Sequence, residues 1–377
     1  EICSLEDVDR GAKVGLRWAR GPFELANRLG VDSAKAMAED YCELANFPVP
    51  DVWKRDNAFS FNYVDLDVSN GIATITINRP EAMNALNETV VGQLGDALDK
   101  ANSDDSVRTI VLDGAGKAFV AGADVKFFVD KIRADSFPDI YDFTADGHKV
   151  LNKLESSTKT TIALTTGLSL GGGLELALSC DYRIGTRKTQ FRFPETSIGI
   201  FPGLGGTQRP ARIAGIPAAR WAVLAGNFMD ARTAADLGLV TNLVDVTDVD
   251  STIASLDAKG KPAEKYPAAP VNPESKIAKF ANSFYSDENM DTLLDGGCPD
   301  GFDPEDKLVS RQLKSLSRTA PIALRMASDL IDAAGKTELS GGLNQELDNL
   351  EAIFSTNDAL EGLSALIEGR KPTYQNS

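Results

Sequence analysis

The stretch Thr160-Thr-Ile-Ala-Leu-Thr-Thr-Gly-Leu-Ser-Leu-Gly-Gly-Gly-Leu-Glu-Leu176 decides how this chain is read. Its first five residues form the short apolar, β-branched run of a buried strand. Gly171, Gly172 and Gly173 end the extended stretch, and the apolar residues from Leu174 to Cys180 start a helix. Glycines at such a junction leave the first helical N–H groups bare, with the positive end of the helix dipole behind them. A packing turn without a ligand is the plainer reading of the same glycines. Glu175 sharpens the choice, because a carboxylate among Leu174, Leu176, Ala177 and Leu178 is costly unless it is used or paired. A structural ion pair would also satisfy it.

The alternation continues on both sides of this junction. Upstream, Phe61, Tyr63 and Val64 lead through a Ser69-Asn70-Gly71 turn to Ile72, Thr74, Ile75 and Ile77, a β-hairpin pattern. An amphipathic helix over 88–101, a buried strand over 107–112 and a helix over 125–132 follow. Downstream, strands at 182–185 and 190–193 alternate with helices to about Val246, so the predicted class is α/β. From Leu5 to Leu44 the apolar spacing is helical, interrupted at Gly21-Pro22, and a proline-marked connector runs from Phe47 to Asn57. These features predict a small all-α segment over 1–56 and a main domain over 57–377. Within the latter, the Pro-, Gly- and charge-rich stretch at about 250–305 reads as an insertion with short helices, and 317–377 as a helical region. The C-terminal stripes, such as Leu343, Leu347, Leu350 and Ile353, read as core or subunit contact.

The chain has 377 residues, 42% hydrophobic and 25% charged, which suits large cores and excludes a disordered polymer. Its net charge of −16 disfavours nucleic acid and anionic membranes as partners. A single histidine, His148, excludes multi-His metal sites, and no metal is expected; His148 itself reads as exposed or internally satisfied. Cys3, Cys42, Cys180 and Cys298 are scattered singly, as in a reduced cytoplasmic protein. No apolar run approaches the ~18 residues that span a bilayer.

Two further motifs join the glycine junction. Gly116-Lys-Ala-Phe-Val-Ala-Gly-Ala-Asp124 is a small-residue loop between a strand and a helix, where backbone amides can approach a ligand closely. Phe191-Arg-Phe-Pro-Glu195, followed by Ile198-Gly-Ile-Phe-Pro-Gly-Leu-Gly-Gly-Thr-Gln-Arg209, sets an acid beside an aromatic, glycine-rich wall. Glu195 by itself could equally be a helix cap or a surface carboxylate.

Together these motifs, in this order, resemble the crotonase or enoyl-CoA hydratase/isomerase superfamily. The resemblance runs from about Phe61 to Val246, including Asn78-Arg-Pro-Glu-Ala-Met-Asn-Ala-Leu86, and resumes over about 317–374. It implies a crotonase ββα spiral core with a C-terminal helical trimerisation region. It also implies an oxyanion hole from the backbone N–H groups of Ala123 and Gly172, holding the thioester oxygen of an acyl-CoA. Glu175 and Glu195 match the two carboxylates of the family's hydratases, with Glu175 as the base that activates water and Glu195 as the proton donor to Cα. Family isomerases keep only the equivalent of Glu195, so the pair favours hydration of a short-chain enoyl-CoA. By the same resemblance, coenzyme A would lie along Ala82, Met83, Ala121, Asp124, Val125 and Lys126, and the acyl chain against Phe127, Phe128, Phe201 and Pro202. A solvated lysine and ordinary core packing are the plain alternatives for these residues. Coenzyme A would enter as part of the substrate, with no cofactor held for catalysis, and the assembly would be a trimer or dimer of trimers. Isomerisation, hydrolysis and a non-catalytic acyl-CoA-binding remnant remain alternative functions.

The segment Asp7-Val-Asp-Arg-Gly-Ala-Lys-Val-Gly-Leu-Arg-Trp-Ala-Arg-Gly-Pro-Phe-Glu-Leu25 is foreign to that family. It resembles the end of the helical C-terminal domain of 3-hydroxyacyl-CoA dehydrogenases. The combination implies the carboxyl-terminal part of an archaeal-type fused dehydrogenase–hydratase. NAD would then bind only in an absent N-terminal domain, since no dinucleotide fingerprint stands in a βαβ context here.

Overall fold

The computed structural model describes residues 3–54, 56–264 and 272–377. Arg55 of the expected connector and 265–271 of the expected insertion lie outside the described residues, as do the first two positions. The chain divides into two compact units, Glu1–Tyr63 and Val64–Ser377.

In the first unit, α1 (Leu5–Arg10), α2 (Pro22–Leu29) and α3 (Val31–Leu44) surround a small core of Phe23, Ala26, Ala34 and Phe59. The Gly21-Pro22 break has a specific cause. Buried Asp9 accepts the N–H groups of Phe23 and Glu24 at 2.8 and 2.9 Å, capping α2, and a Cβ on Gly21 would lie 2.1 Å from the Asp9 carboxyl carbon. Asn27 clasps the backbone of Phe59, donating to its carbonyl and accepting from its N–H, both at 2.7 Å. The unit therefore extends to Tyr63 rather than stopping at residue 56, because Phe59 completes its core.

The second unit opens with β1 (Val64–Ser69) and β2 (Ile72–Ile77), an antiparallel hairpin turned by Asn70 and Gly71, both at positive φ. Then come α4 (Glu88–Ser103), β3 (Thr109–Gly114), β4 (Ala118–Ala121), α5 (Val125–Arg133) and α6 (Phe137–Ser156). Next are β5 (Thr160–Thr165), β6 (Leu168–Leu170), α7 (Gly172–Leu178), β7 (Tyr182–Gly185) and β8 (Gln190–Arg192). The order continues through α8 (Arg209–Ala214), α9 (Ile216–Leu224), β9 (Met229–Asp230), α10 (Ala231–Asp236) and β10 (Asn242–Leu243). Among the described residues, the chain closes with the helices α11 (Val249–Lys259), α12 (Lys276–Phe284), α13 (Met290–Leu294), α14 (Lys307–Leu316), α15 (Pro321–Ala333), α16 (Leu339–Asp348), α17 (Leu350–Phe354) and α18 (Asn357–Glu368).

The strands build two sheets, one ordered β1-β2-β3-β5-β7-β10 and one β4-β6-β8-β9. All pairs are parallel except β1·β2 and β8·β9. Successive turns of chain thus place one strand in each sheet, as β3 then β4, β5 then β6, and β7 then β8, which is the spiral expected from the resemblance. The short second-sheet strands β4 and β6, within stretches expected to be loops, carry too few residues for a periodic signal. The helix α6 is an addition to the expected elements, and its Ile140, Phe143, Thr144, Gly147, Leu151 and Leu154 recur at helical spacing and are buried.

The expected insertion begins with a core element. Leu256 of α11 is buried against Val111, Ile162, Leu164 and Tyr182 of the large sheet, with Val249 and Ile253 beside it. Beyond α11, Phe280, Phe284, Tyr285 and Phe302 make their own aromatic cluster, with centroids 4.9 to 6.5 Å apart.

Candidate active site

A cavity of about 380 Å³ opens where the edge of the second sheet, the start of α7 and the C-terminal helices meet. The turn Gly171–Gly173 forms one wall. Gly171 adopts φ 45° and ψ −120°, a conformation only glycine takes readily, and its N–H donates to Arg192 O at 3.0 Å. Gly173 permits a close approach, since a Cβ there would lie 2.0 Å from Val120 O. Gly172, the first residue of α7, is in the turn whose N–H groups have no intrahelical acceptor, and it lines the cavity.

Ala123 lies opposite, just past β4. It forms a parallel bridge with Leu86, in which Leu86 N–H donates to Gly122 O at 2.9 Å and Asp124 N–H to Leu86 O at 2.8 Å. By the alternation of strand geometry, the N–H of Ala123 points to the other edge. The 82–86 loop that makes this bridge is anchored by Asn84, a fully buried polar residue at φ 59°. Asn84 accepts from Arg79 N–H at 2.9 Å and donates to the carbonyls of Ala115, Ala118 and Phe119. Its side chain therefore holds the loop to β4, a structural part that sequence reasoning did not assign to it.

Glu175 is on the first turn of α7, 2% exposed. One carboxylate oxygen, Oε1, accepts both Leu204 N–H at 2.7 Å and Gly206 N–H at 2.6 Å. The other, Oε2, is on the Gly172 side, 3.9 Å from where a Cβ on Gly172 would stand. Burial pushes the Glu175 pKa up to about 7 against the two amides and Arg209, which lower it. Glu195 comes from the 3₁₀ turn Glu195–Ile198 after β8. That turn is held by Thr196, whose hydroxyl donates to Val223 and Leu224 carbonyls, and by the Tyr374 hydroxyl donating to Ser197 O at 2.7 Å. Glu195 is also buried, and its Oε2 has no hydrogen-bond partner among the described residues. Burial first, and then the neighbouring Glu175, hold its pKa well above the carboxylate range.

The two carboxylates thus share one cavity in different environments. Glu175 receives two amide donors, which favour its ionised form, whereas Glu195 has an unpartnered oxygen, which favours its proton.

Of the residues predicted for the site, Glu175, Glu195, Ala123, Gly172, Ala121, Val125, Phe128 and Phe201 line the cavity. Asp124 caps α5 and stands 3.6 Å from the Arg79 guanidinium. Lys126 is exposed on the first turn of that helix. Ala82 and Met83 belong to the loop beside Ala121, whose N–H donates to Met83 O at 3.0 Å. Phe127 and Pro202 stand outside the lining. Phe127 packs on Phe143 and Phe128, with centroids 4.8 and 5.4 Å away, and Pro202 is buried against Gly206.

Several lining residues had no place in the sequence reading of the site. Phe143 and Thr144 come from α6, Leu350, Leu363 and Leu366 come from stripes read as core or subunit contact, and Phe354 stands in none of those stripes. Phe354 stacks on Phe128 at 5.1 Å, closing the apolar end. His148 is buried on α6 rather than exposed, with Nε2 donating to Gly203 O at 2.7 Å and Nδ1 without a partner among the described residues. Among the described residues no cluster of side chains suits a metal ion.

Residues 72–377 match the protein family described as enoyl-CoA hydratase/isomerase. The chain is 28% identical over 316 residues to the crotonyl-CoA hydratase of Syntrophomonas wolfei, covering 84% of this chain and 98% of that one. It is 29% identical over 311 residues to the short-chain-enoyl-CoA hydratase of Clostridium acetobutylicum, covering 82% and 96%. Among solved structures, an enoyl-CoA hydratase from Rhodobacter sphaeroides superposes with a TM-score of 0.69 at 25% identity, covering 83% of this chain and 92% of that one.

Proposed function

The chain belongs to the enoyl-CoA hydratase/isomerase family, and from that premise we propose that it adds water reversibly to short-chain trans-2-enoyl-CoA, giving (S)-3-hydroxyacyl-CoA. The observation that carries this reading is the pair of buried carboxylates facing one cavity, one supplied with amide donors and one bare. The thioester oxygen lies between the N–H groups of Ala123 and Gly172. One well-aimed donor of this kind lowers the barrier by about 3 kcal/mol. Water held by Glu175 and Glu195 attacks Cβ. Its proton passes to Glu175 Oε2, the alkene pair moves into the enolate, and Glu195 delivers its proton to Cα. Exchange with solvent restores both groups, and dehydration is the reverse.

The short apolar end, closed by Phe128, Phe143 and Phe354, supports a short acyl chain. An isomerase needs one acid–base group to carry a proton between carbons, so the second buried carboxylate supports hydration over isomerisation. The direct assay is loss of enoyl-thioester absorbance with crotonyl-CoA. Glu175→Gln and Glu195→Gln should each lower kcat by roughly 10²–10⁴-fold. Near-normal turnover in both variants ends the mechanism.

The same reading makes the N-terminal unit part of a longer bifunctional polypeptide carrying a 3-hydroxyacyl-CoA dehydrogenase. Leu16, Leu29, Met37, Tyr41 and Leu44 are all exposed on this unit, an apolar surface that suits packing against further chain. A native polypeptide of 377 residues, measured by mass, would refute the fusion. A trimer or dimer of trimers is the assembly expected, and light scattering reads it directly. Among the described residues no helix is long and apolar enough to cross a membrane.

A further inference from the structure

Behind the cavity, outside its lining, is a second group of buried ionisable side chains: Glu346 on α16, His148 on α6 and Arg209 at the start of α8. All three converge on the turn Gly203–Thr207. That turn is almost wholly buried, so each of its backbone groups needs a partner. The amides of Leu204 and Gly206 go to Glu175. Those of Gly205 and Thr207 go to Glu346, at 2.6 Å to Oε2 and 3.1 Å to Oε1. Four consecutive N–H groups therefore alternate between two carboxylates. The Thr207 hydroxyl accepts from Gln208 Nε2 at 2.9 Å, so its own proton goes to Glu346 Oε1. On the carbonyl side, His148 donates to Gly203 O at 2.7 Å and Arg209 Nη1 to Leu204 O at 2.8 Å. Gly147, beside His148, leaves the room this requires: a Cβ there would lie 2.6 Å from the Leu204 side chain.

We propose that Glu346 is a positioning residue for the hydration, gripping the Gly203–Thr207 turn from behind so that both amides pin Glu175 Oε1 and leave Oε2 turned to the cavity. The proposal rests on the hydratase reading of the site. Glu346 touches no substrate and acts only through the turn. Glu346 and Glu175 also share one buried electrostatic environment. The groups facing this pair are Glu195, Arg209, which is itself paired with Glu155 at 2.7 Å, and His148. Burial holds the His148 pKa down to about 4, so His148 is neutral near pH 7. Burial, and then the charge of Glu175, raise the Glu346 pKa to about 8. Glu346 is thus mostly protonated where Glu175 titrates, and there it acts on Glu175 through the turn rather than through charge.

The test is steady-state kinetics of the full chain with crotonyl-CoA. Glu346→Gln keeps the shape but sets an NH₂ against a buried N–H. It should lower kcat about 10- to 100-fold through misplacement of Glu175. KM should stay near the wild-type value, because the cavity lining is untouched. The acid limb of the pH profile should move to higher pH, since a misplaced Glu175 loses the two amide donors that hold its pKa down. In a Glu175→Gln background the same substitution should cost nothing more, because the group it positions is absent. A wild-type kcat, an unmoved acid limb, or losses that multiply in the double variant would each overturn the proposal. If Glu346→Gln does not fold, Thr207→Val removes one donor to Glu346; a fall in kcat at constant KM, recovered in Thr207→Ser, supports the role, and an unchanged kcat overturns it. Wild-type protein inert toward crotonyl-CoA would refute the hydratase reading itself. The Glu175 titration, followed by carboxyl ¹³C NMR, then still decides the positioning: a higher pKa in Glu346→Gln, from loss of the amide donors, supports it and an unmoved one refutes it.

Discussion

Replacing Gly171 by alanine separates the geometry of the site from the stability of the fold. A Cβ at Gly171 would stand 2.0 Å from Glu195 Oε1, while contacts of real Cβ atoms begin near 3.0 Å, so the carboxylate must withdraw by 3.0 − 2.0 = 1.0 Å. The atom in the way is the end of a side chain, so that withdrawal is cheap for the fold. What the fold bears is the backbone conformation, φ 45° and ψ −120°, which costs a non-glycine residue about 1–3 kcal/mol. Catalysis bears the displacement: moving a proton donor by about 1 Å lowers the rate about 10²-fold, equivalent to about 2.7 kcal/mol in the barrier. Gly215→Ala is the matched control, because Gly215 has φ 88° with no heavy atom near its Cβ position and lies outside the cavity lining. Both variants should lose comparable melting temperature, and only Gly171→Ala should lose turnover with crotonyl-CoA. A folded Gly171→Ala protein whose kcat equals that of Gly215→Ala would refute the placement of Glu195 in the reaction.

The pH profile of kcat/KM should be bell-shaped, falling on the acid side near pH 7 as Glu175 takes a proton, and on the alkaline side as Glu195 loses its own; a flat profile from pH 5 to 9 would contradict this. Glu195 also bears on stability. Its folded pKa is raised above the ordinary value of 4.5, so stability is full below that pH and is lost as pH rises through the folded pKa. Glu195→Gln removes this penalty and should melt above wild type at pH 8, by roughly 2–4 °C per kcal/mol, and close to it at pH 4; equal melting at both values would refute the argument. Phe354→Ala unstacks Phe128 and opens the apolar end, so the ratio of kcat/KM for octenoyl-CoA over crotonyl-CoA should rise about tenfold, and an unchanged ratio would show that this pair does not limit chain length.

The parts of the site legible in the sequence share a physical signature. Glu175 stands out because a carboxylate in an apolar helix start violates the usual pattern, and the glycines at 171–173 stand out because only a special backbone conformation or close approach explains three together. Glu346 breaks the same rule, between Leu343 and Leu347 on an otherwise apolar stripe, and its burial could have been suspected on that ground. It passed unnoticed because a charged residue in an amphipathic helix usually faces water. Phe127 and Phe128 show the opposite limit. Adjacent phenylalanines on a helix differ by about 100° in direction, and nothing in their identity says which one meets the cavity. The second sheet was illegible for a related reason: β4 and β6 span 4 and 3 residues, too few for alternation to register.

By itself, then, the sequence determined the alternation of strands and helices, the glycine-lined start of α7 and the two acids that flank it, because these depend on local propensity, backbone freedom and the cost of burying charge. Only the tertiary structure decided which side chains share a space. It brought Phe354 from one end of the unit onto Phe128, folded α11 of the apparent insertion into the core, and set Glu346 behind the turn that holds Glu175. The hydrogen bonds from Gly205 and Thr207 to Glu346 span 141 and 139 positions of chain. No local pattern encodes such a contact. It follows from packing helices against a spiral of strands whose buried turn must find a partner for every N–H.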